Sequence, residues 1–258
     1  MVMEPRQLDP QVSLGIVAYN TAIDTLARTI ASIRNSTVRA EILILCNSPD
    51  TGYQEAVMNL GMLHSCQVFP NQPNRGFGHA HNHLAKSATT PWYACCNPDI
   101  ELQPECLEQL LIAGSKVSSI GLLAPTLIDE SGRPQAVNRP FITPLSLLRR
   151  CLHLSEGLLP ATPDGNGLVR AEFVSGAFFL VRKKTWDALM GFDERFFLYC
   201  EDADLSLRAA RIGVNYIHPS AKAIHLWHRA SRKRVRALIH HLASVVRYFL
   251  KHRLMVGR

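Results

Sequence analysis

The stretch VSLGIVAYNTAIDTLARTIASIRNSTVRAEILILC, residues 12–46, decides the fold. It begins with the apolar run Val12–Ala18 and ends with a second run, Glu41–Cys46, and each run has the length of a buried strand. Between the two runs, the apolar residues of Ala22–Ile33 recur at helical spacing. Strands that are separated by a helix tend to pair in parallel, so the stretch predicts a strand–helix–strand unit.

The same alternation continues towards the carboxyl end. A weaker helix at 53–63 leads to a strand at 66–69, and apolar runs at 92–96 and 121–128 predict further strands. We therefore expect an α/β fold with a Rossmann-like, mostly parallel central sheet and helices on both faces. Ligands of such sheets bind at the carboxyl ends of the strands, so residues 18–20 and the following turn should line one crevice.

Composition indicates one large domain with an appendage. The 258 residues suffice for a substantial core, and the predicted domain spans 1–231 with a loop-rich insertion at 133–170. Seven scattered cysteines without CxxC spacing indicate reduced thiols and a cytoplasmic location. Neither export nor a membrane span is expected, because the sequence shows no signal-like segment and no apolar run of transmembrane length.

The net charge of +7 is concentrated in the tail. Residues 222–258 contain ten Lys or Arg, and all 21 Asp and Glu precede them. The segment 232–258 predicts a basic amphipathic helix, whose apolar stripe includes Leu238, Leu242, Val245 and Phe249. Two interpretations stay open: the stripe docks on the protein's own core, or the helix lies on an anionic membrane. Nucleic-acid binding is disfavoured because no aromatic stacking platform accompanies the charge.

A pair of acids begins another predicted helix. The stretch GFDERFFLYCEDADLSLRAARIG, residues 191–213, places Glu201 and Asp202 in the first helical turn. The helix dipole favours acids there whatever the function. A base that deprotonates a sugar hydroxyl must also be ionised, reachable and next to a surface on which the sugar can lie. Because the aromatic segment Phe196–Tyr199 offers such a surface, we predict that Asp202 is a catalytic base and that this segment walls the acceptor.

Three shorter motifs point to the same crevice. The loop NRGFGHAHN, residues 74–82, has two glycines before a helix, which suits an anion, although such loops also serve plain chain reversal. The motif NPD, residues 97–99, ends a strand with a carboxylate, which is either a ligand for Mg²⁺ or Mn²⁺ or a turn aspartate. At Gly176–Ala177 the sequence indicates that another group passes close to the backbone.

In their order and spacing, these motifs resemble those of bacterial family 2 glycosyltransferases with the GT-A fold, within the rhamnosyltransferase-like branch. The segments that carry the resemblance are IVAYN at 16–20, NRGFGHAHN at 74–82, NPD at 97–99, and SGAFFLVRK and GFDERFFLYCEDADLSLRAARIG within 175–213. The resemblance implies a metal-dependent inverting transferase. Such an enzyme moves a sugar from a nucleotide-diphosphate donor to a hydroxyl of a glycan or lipid-linked acceptor.

The resemblance also implies roles for individual residues. Those expected to hold the nucleotide and donor sugar are Ala18, Tyr19, Asn20, Asn47, Asp50, Asn74, Arg75, Gly76, Phe77, Gly78, Asn82, Asn97, Asp99, Gly176 and Ala177. Asp99 would bind the divalent cation on the diphosphate, and His225 would complete that metal site. Asp202 would act as the base, with Glu201 as its neighbour and the less favoured base.

Two departures from the family pattern bear on the substrates. Cys46 stands where many relatives have an aspartate that meets the nucleoside, so the donor is open between dTDP- and UDP-sugars. The motif at 97–99 keeps one carboxylate of the family's DxD element, which weakens the expected metal site. The favoured substrates are dTDP-rhamnose and a lipid-linked glycan at the cytoplasmic face of the membrane. The alternatives are a glycoside hydrolase that uses Asp99 and Asp202, a non-catalytic nucleotide-sugar-binding module, and a nucleotidyltransferase.

Overall fold

The computed structural model describes residues 9–70, 72–135, 138–144, 146, 159, 161–226 and 235–252, with the backbone alone for 235–239. Much of the predicted insertion at 133–170, the domain boundary near 231 and both ends of the predicted tail helix lie outside these residues. Within the described ranges the chain forms one nine-stranded sheet with helices packed against it.

The first half of the sheet is parallel, as the alternating pattern predicts. Its strands are β1 (Val12–Ala18), β2 (Ala40–Cys46), β3 (Gln67–Phe69) and β4 (Trp92–Cys96). The helices between them are α1 (Ile23–Arg34), α2 (Thr51–Leu63) and α3 (Phe77–Ser87). Strand β1 pairs in parallel with both β2 and β4, and β2 with β3. The carboxyl ends of these strands therefore meet at one edge of the sheet.

The second half of the sheet is mixed, so the expectation of a mostly parallel sheet holds only as far as β4. Its elements are β5 (Ile100–Leu102), α4 (Cys106–Lys116), β6 (Ile120–Ile128), β7 (Val169–Ala171), β8 (Phe178–Arg182), α5 (Lys183–Ala188), α6 (Glu201–Ala209), β9 (Val214–His225) and α7 (Val235–Lys251). The strand order is β3-β2-β1-β4-β8-β6-β9-β5, with β7 paired to β9. Strand β8 runs antiparallel to both of its neighbours, β4 and β6.

Strand β9 extends further than its sequence predicts. The apolar pattern indicates a strand that stops at Pro219, yet β9 continues to His225. The pairing partner of Pro125 is His218 and that of Thr126 is Lys222, so β9 bulges across Pro219 and then resumes the ladder. This continuation pairs His225 with Ile100, the residue after the NPD motif.

Successive residues of the strands belong alternately to two apolar clusters. Leu14 and Ile16 of β1 belong to the cluster that contains α1, α2 and α4. Val17 of β1, with Leu45 of β2, belongs to the cluster that contains α3, α5 and α6. Since successive strand residues point to opposite faces, the helices cover both faces of the sheet, as predicted.

Helix α7 packs on the core through one face. Tyr248 is fully buried in a third cluster with Phe196 and Leu207, and Ser244 Oγ donates to the carbonyl of Leu198. The opposite face carries exposed apolar side chains, namely Leu242, Val246 and Leu250. The docking interpretation is therefore confirmed for one side of the helix. No helix among the described residues is long and apolar enough to cross a bilayer.

Candidate active site

The acid pair is placed by a sharp turn before α6. Tyr199 and Cys200 have φ values of 72° and 63°, a left-handed conformation that few residues other than glycine adopt. The chain enters α6 directly from this turn, with Glu201 and Asp202 in the first helical turn. Such strain is found where the surrounding structure imposes it and is common at functional sites.

Asp202 is oriented by backbone donors. Its Oδ2 accepts from the N–H of Gly176 at 3.1 Å, and its Oδ1 accepts from the N–H of Ala203 at 2.9 Å. Burial raises the pKa of Asp202, and these N–H groups act in the opposite direction by stabilising the anion. Asp202 as a whole residue is only partly buried, and its access to a substrate hydroxyl stays a prediction.

Glu201 differs from Asp202 in both burial and partners. It is 6 % exposed, and its Oε2 has no hydrogen-bond partner among the described residues. Burial, together with the nearby Asp202 charge, raises the pKa of Glu201 to about 8. Burial and the charge of Asp202 thus both disfavour an ionised Glu201, whereas backbone N–H groups stabilise the anion of Asp202. This difference supports Asp202 as the proton acceptor, and the assignment stays a prediction.

A buried polar network contacts the carbonyl of Gly176. The Cys95 thiol donates to the carbonyl of Gly176 at 3.3 Å and lies 3.3 Å from Nε2 of His81. His81 Nδ1 is 2.8 Å from the hydroxyl of Tyr93, and burial lowers the pKa of His81 to about 3. The ring is therefore neutral. The sequence does not reveal this network, because His81 and Cys95 stand in different segments that only the fold brings together.

The glycine-rich loop is tied to the segment before the acid pair. The N–H of Phe77 donates to the carbonyl of Phe197 at 3.1 Å. Gly76 has a φ of 103°, and a Cβ there would lie 2.4 Å from the Phe197 oxygen. Only glycine fits this close approach. Gly176 adjoins both the loop and Asp202, because a Cβ on Gly176 would lie 3.5 Å from the Phe77 ring and 3.3 Å from Asp202.

The residues predicted to line the nucleotide crevice lie after β1 and β2. Tyr19 and Asn20 are exposed after the buried Ala18, and the hydroxyl of Ser48 donates to Oδ1 of Asn20 at 2.6 Å. Asn47 Nδ2 donates to Oδ1 of Asn74 at 3.3 Å, which joins the β2 turn to the glycine-rich loop. The buried Oδ1 of Asn47 has no hydrogen-bond partner among the described residues. An orphan acceptor beside exposed polar groups fits a ligand that donates hydrogen bonds.

Other predicted nucleotide residues have contacts within the protein. Asp50 caps α2 by accepting from the N–H of Tyr53 at 2.8 Å, although its side chain stays exposed. The Asn82 amide exchanges two 2.9 Å hydrogen bonds with the backbone of Phe192, and it also donates to Glu194. These contacts give Asn82 a role in fixing α3 to the segment before α6. Arg75 is exposed at the loop. Nucleotide contacts by these residues stay predictions.

The predicted metal residues converge at the end of β9. His225 Nε2 lies 3.7 Å from Oδ1 of Asp99, and that oxygen is buried without a hydrogen-bond partner among the described residues. A buried carboxylate oxygen beside an imidazole nitrogen suits a divalent cation, so the residues fit the expected ion. No group of three or more metal-ligating side chains occurs in the described part of the chain. The rest of the coordination shell would come from the diphosphate and water.

The NPD motif and Asp202 are both hydrogen-bonded to the backbone of Gly176–Ala177, which we call the shared frame. The N–H of Asn97, in the motif that carries Asp99, donates to the carbonyl of Ala177 at 2.8 Å. Ala177 follows Gly176, which holds Asp202. The NPD motif and Asp202 are thus bonded to consecutive residues just before β8.

The predicted aromatic wall requires a correction. Phe196 is fully buried and packs against α7, so it is a core residue and does not contact an acceptor. Its neighbours Phe197 and Tyr199 are only partly buried. Phe197 stacks on His240 of α7 at 4.8 Å, and Tyr199 meets His241 edge-on at 5.1 Å. The predicted wall is thus reduced to Phe197 and Tyr199, which α7 backs, and contact of these residues with an acceptor stays a prediction.

Known structures resemble this fold over most of the chain. GalNAc-T7 with UDP, GalNAc and Mn²⁺ matches with a TM-score of 0.69 at 18% identity, over 93% of this chain and 47% of that one. The mannosyltransferase PcManGT from Pyrobaculum calidifontis, with GDP-Man and Mn²⁺, matches with a TM-score of 0.62 at 14% identity, over 93% and 65%. The chain thus spans less than half of the first protein. The fold is that of GT-A glycosyltransferases.

Sequence relatives define the family. The Glycosyl transferase family 2 model matches residues 13–113. The rhamnosyltransferase WbbL of Escherichia coli strain K12 is 30% identical over 200 residues, 71% of this chain and 73% of that protein. An N-acetylglucosaminyl-diphospho-decaprenol L-rhamnosyltransferase of Mycobacterium tuberculosis is 29% identical over 225 residues, 78% and 71% of the respective chains. The chain belongs to glycosyl transferase family 2, as its motifs predict.

Proposed function

We propose that this protein transfers rhamnose from dTDP-rhamnose to a hydroxyl of a lipid-linked glycan, with inversion at the anomeric carbon. The observation that carries the proposal is the shared frame at Gly176–Ala177. It fixes Asp202 through the Gly176 N–H and the motif that bears Asp99 through the Ala177 carbonyl. This frame supports a proton acceptor at Asp202 near a cation ligand at Asp99, as a displacement reaction requires.

The chemistry is a single displacement. The acceptor oxygen attacks the anomeric carbon, its proton passes to Asp202, and the bond to the nucleoside diphosphate breaks on the opposite side. One displacement of this kind inverts the anomeric configuration. A bound Mg²⁺ or Mn²⁺ would act as a Lewis acid that stabilises negative charge on the leaving diphosphate. Asp99 and His225 would hold this cation.

The substrate assignment rests on the relatives. Both relatives are named for rhamnosyl transfer, and the name of the Mycobacterium tuberculosis protein specifies a decaprenol-linked diphosphate sugar. A rhamnosyl donor and a polyprenol-linked acceptor are therefore the favoured substrates of this chain. The family assignment favours a transferase over the alternatives of a glycoside hydrolase or a nucleotidyltransferase.

The exposed face of α7 supports a location at the membrane. Leu242, Val246 and Leu250 recur at a spacing of four residues on this face. Lys and Arg residues of 222–258 precede and follow these positions in the sequence. A basic amphipathic helix of this kind binds anionic lipid, with each Lys or Arg near the surface contributing about 1 kcal/mol. We place the protein at the cytoplasmic face, where it would meet a lipid-linked acceptor.

A donor screen tests the proposed reaction. The melting temperature is measured with dTDP-rhamnose, UDP-glucose and GDP-mannose, each with and without Mn²⁺, because ligand binding raises apparent stability. We expect the largest rise with dTDP-rhamnose and Mn²⁺. The donor that binds is then incubated with a polyprenol-diphosphate-linked N-acetylglucosamine, and the product's anomeric configuration is read by NMR. Retention of configuration, sugar release without a nucleotide donor, or pyrophosphate release would contradict the proposal.

A further inference from the structure

A glutamine outside every predicted motif contacts His225 twice. Gln135 Nε2 lies 2.9 Å from the carbonyl oxygen of His225, and Gln135 Oε1 lies 3.0 Å from Nδ1 of the same residue. One side-chain amide thus contacts both the backbone and the ring of the histidine that faces Asp99.

These two contacts fix the orientation of the amide and the tautomer of the ring. A backbone carbonyl can only accept a hydrogen bond, so the group that faces it has to be the NH₂ of Gln135. Oε1 then faces Nδ1, and because Oε1 can only accept, Nδ1 carries the proton. In a neutral imidazole the lone pair is then on Nε2. The nitrogen that faces Oδ1 of Asp99 at 3.7 Å is therefore the one that can ligate a metal.

Gln135 itself is held by the fold. Its backbone N–H donates to the carbonyl of Leu127 at 2.8 Å, and Pro134 forms a β-bridge with Ile128 at the end of β6. Residues 129–133 form a turn in which Oδ1 of Asp129 accepts from the N–H of Arg133. The amide is thus presented by backbone contacts, and its position does not depend on a flexible loop tip.

We infer that Gln135 is a positioning residue of the cation site, which sets His225 in the Nδ1–H tautomer with Nε2 directed at Asp99. The inference rests on the proposed function for its cation. Metal-ligating histidines generally donate their other N–H to an oxygen acceptor, which fixes the ring and raises ligand basicity. Loss of such a partner typically lowers metal affinity about 10- to 100-fold.

The test uses the full chain and measures Mn²⁺ binding by calorimetry in the presence of dTDP. The variants are Gln135→Leu, which removes both contacts, and Gln135→Glu, which keeps an acceptor for Nδ1–H. Gln67→Leu is the matched control, since Gln67 is exposed on β3 at the opposite edge of the sheet. We expect Gln135→Leu to weaken Mn²⁺ binding about 10- to 100-fold, Gln135→Glu to weaken it less, and Gln67→Leu to leave it unchanged.

A second readout needs no metal. In ¹⁵N-histidine NMR spectra, with the His225 signals identified by their loss in His225→Gln, the wild-type ring should show the Nδ1–H tautomer. Gln135→Leu should shift the ring towards a tautomer mixture, whereas a loss of stability alone would not. If Gln135→Leu kept wild-type Mn²⁺ affinity and tautomer, while Asp99→Ala lost Mn²⁺ binding, the inference would be wrong and the cation site would stand. If Asp99→Ala bound Mn²⁺ like the wild type, the cation site and the inference would both fall.

Discussion

The carboxylate of Asp202 accepts a hydrogen bond from the backbone N–H of Gly176 at 3.1 Å. This contact joins the first turn of α6 to the residues just before β8, and Gly176 has no side chain to obstruct it. A backbone donor orients the carboxylate without adding a charge. Asp202 is therefore held in a fixed orientation by backbone donors.

The buried Glu201 predicts an unusual pH dependence of stability. Its pKa is about 8 in the folded protein and near 4.5 in the unfolded chain, so between these values the unfolded state releases a proton that the folded state keeps. The free energy of unfolding should therefore fall as the pH rises through this window. Glu201→Gln removes the titration, so the variant should gain stability relative to the wild type from pH 5 to pH 8.

Urea unfolding at several pH values in this window checks that prediction. The difference in unfolding free energy between Glu201→Gln and wild type should increase with pH. A difference that stays constant, or that decreases with pH, would show that Glu201 is ionised in the folded protein.

The glycine-rich loop predicts a cost for Gly76→Ala that exceeds ordinary backbone strain. Both Gly76 and Gly132 have positive φ, and strain at such a position costs about 1–3 kcal/mol. A Cβ at Gly76 would also meet the Phe197 oxygen at 2.4 Å, whereas at Gly132 nothing lies within 4 Å. Gly76→Ala should therefore lower both the melting temperature and the dTDP affinity, and Gly132→Ala only the melting temperature. Equal effects of the two changes on dTDP binding would argue against a loop that supports the nucleotide site.

The contacts of Asp204 in α6 with Lys251 and His252 predict a stability loss for Lys251→Ala. Asp204 is fully buried, and its carboxylate meets Lys251 at 2.5 Å and His252 at 2.8 Å. Lys251 also contacts Asp193 at 2.7 Å, so Lys251→Ala removes two contacts with carboxylates. Loss of one hydrogen bond to a charged group costs about 1.5–3 kcal/mol, so we expect a loss of at least this size. The control is Leu250→Ala on the exposed face of α7, which should cost less than about 0.5 kcal/mol.

Chemical denaturation and liposome sedimentation separate the two faces of α7. Lys251→Ala should lower the unfolding free energy, and Leu250→Ala should lower binding to anionic vesicles. The docked and exposed faces would not have separate roles if Leu250→Ala destabilised the fold as much as Lys251→Ala.

The apolar patterns predicted the sheet well where strands alternate with helices. Val12–Ala18 and Trp92–Cys96 are strands with the predicted bounds, because continuous apolar runs between turn residues are typical of buried parallel strands. The pattern failed after Pro219, because the bulge that lets β9 continue to His225 depends on pairing with β6, a contact distant in sequence. The pairing with β5 likewise depends on a three-residue strand too short to show a period.

In the candidate site, too, the sequence shows local motifs but not contacts between distant residues. Asp99 and Asp202 stand in local motifs that the sequence shows directly. Gln135 and Asp204 act through partners about 90 and 50 residues away, which no local pattern reports. The sequence predicts Phe196 in the acceptor wall, because an aromatic run looks the same whether it faces a ligand or a helix. Only the packing of Tyr248 distinguishes the two.

The most direct test of the account is the transfer rate of Asp202→Asn with the identified donor and a polyprenol-linked acceptor. The amide keeps an oxygen for the Gly176 N–H but cannot take a proton, so turnover should fall about 10²- to 10⁴-fold, with dTDP affinity close to that of the wild type. Glu201→Gln, measured alongside, should lose much less. Near-native transfer by Asp202→Asn, or a larger loss in Glu201→Gln, would contradict the assignment of Asp202 as the catalytic base.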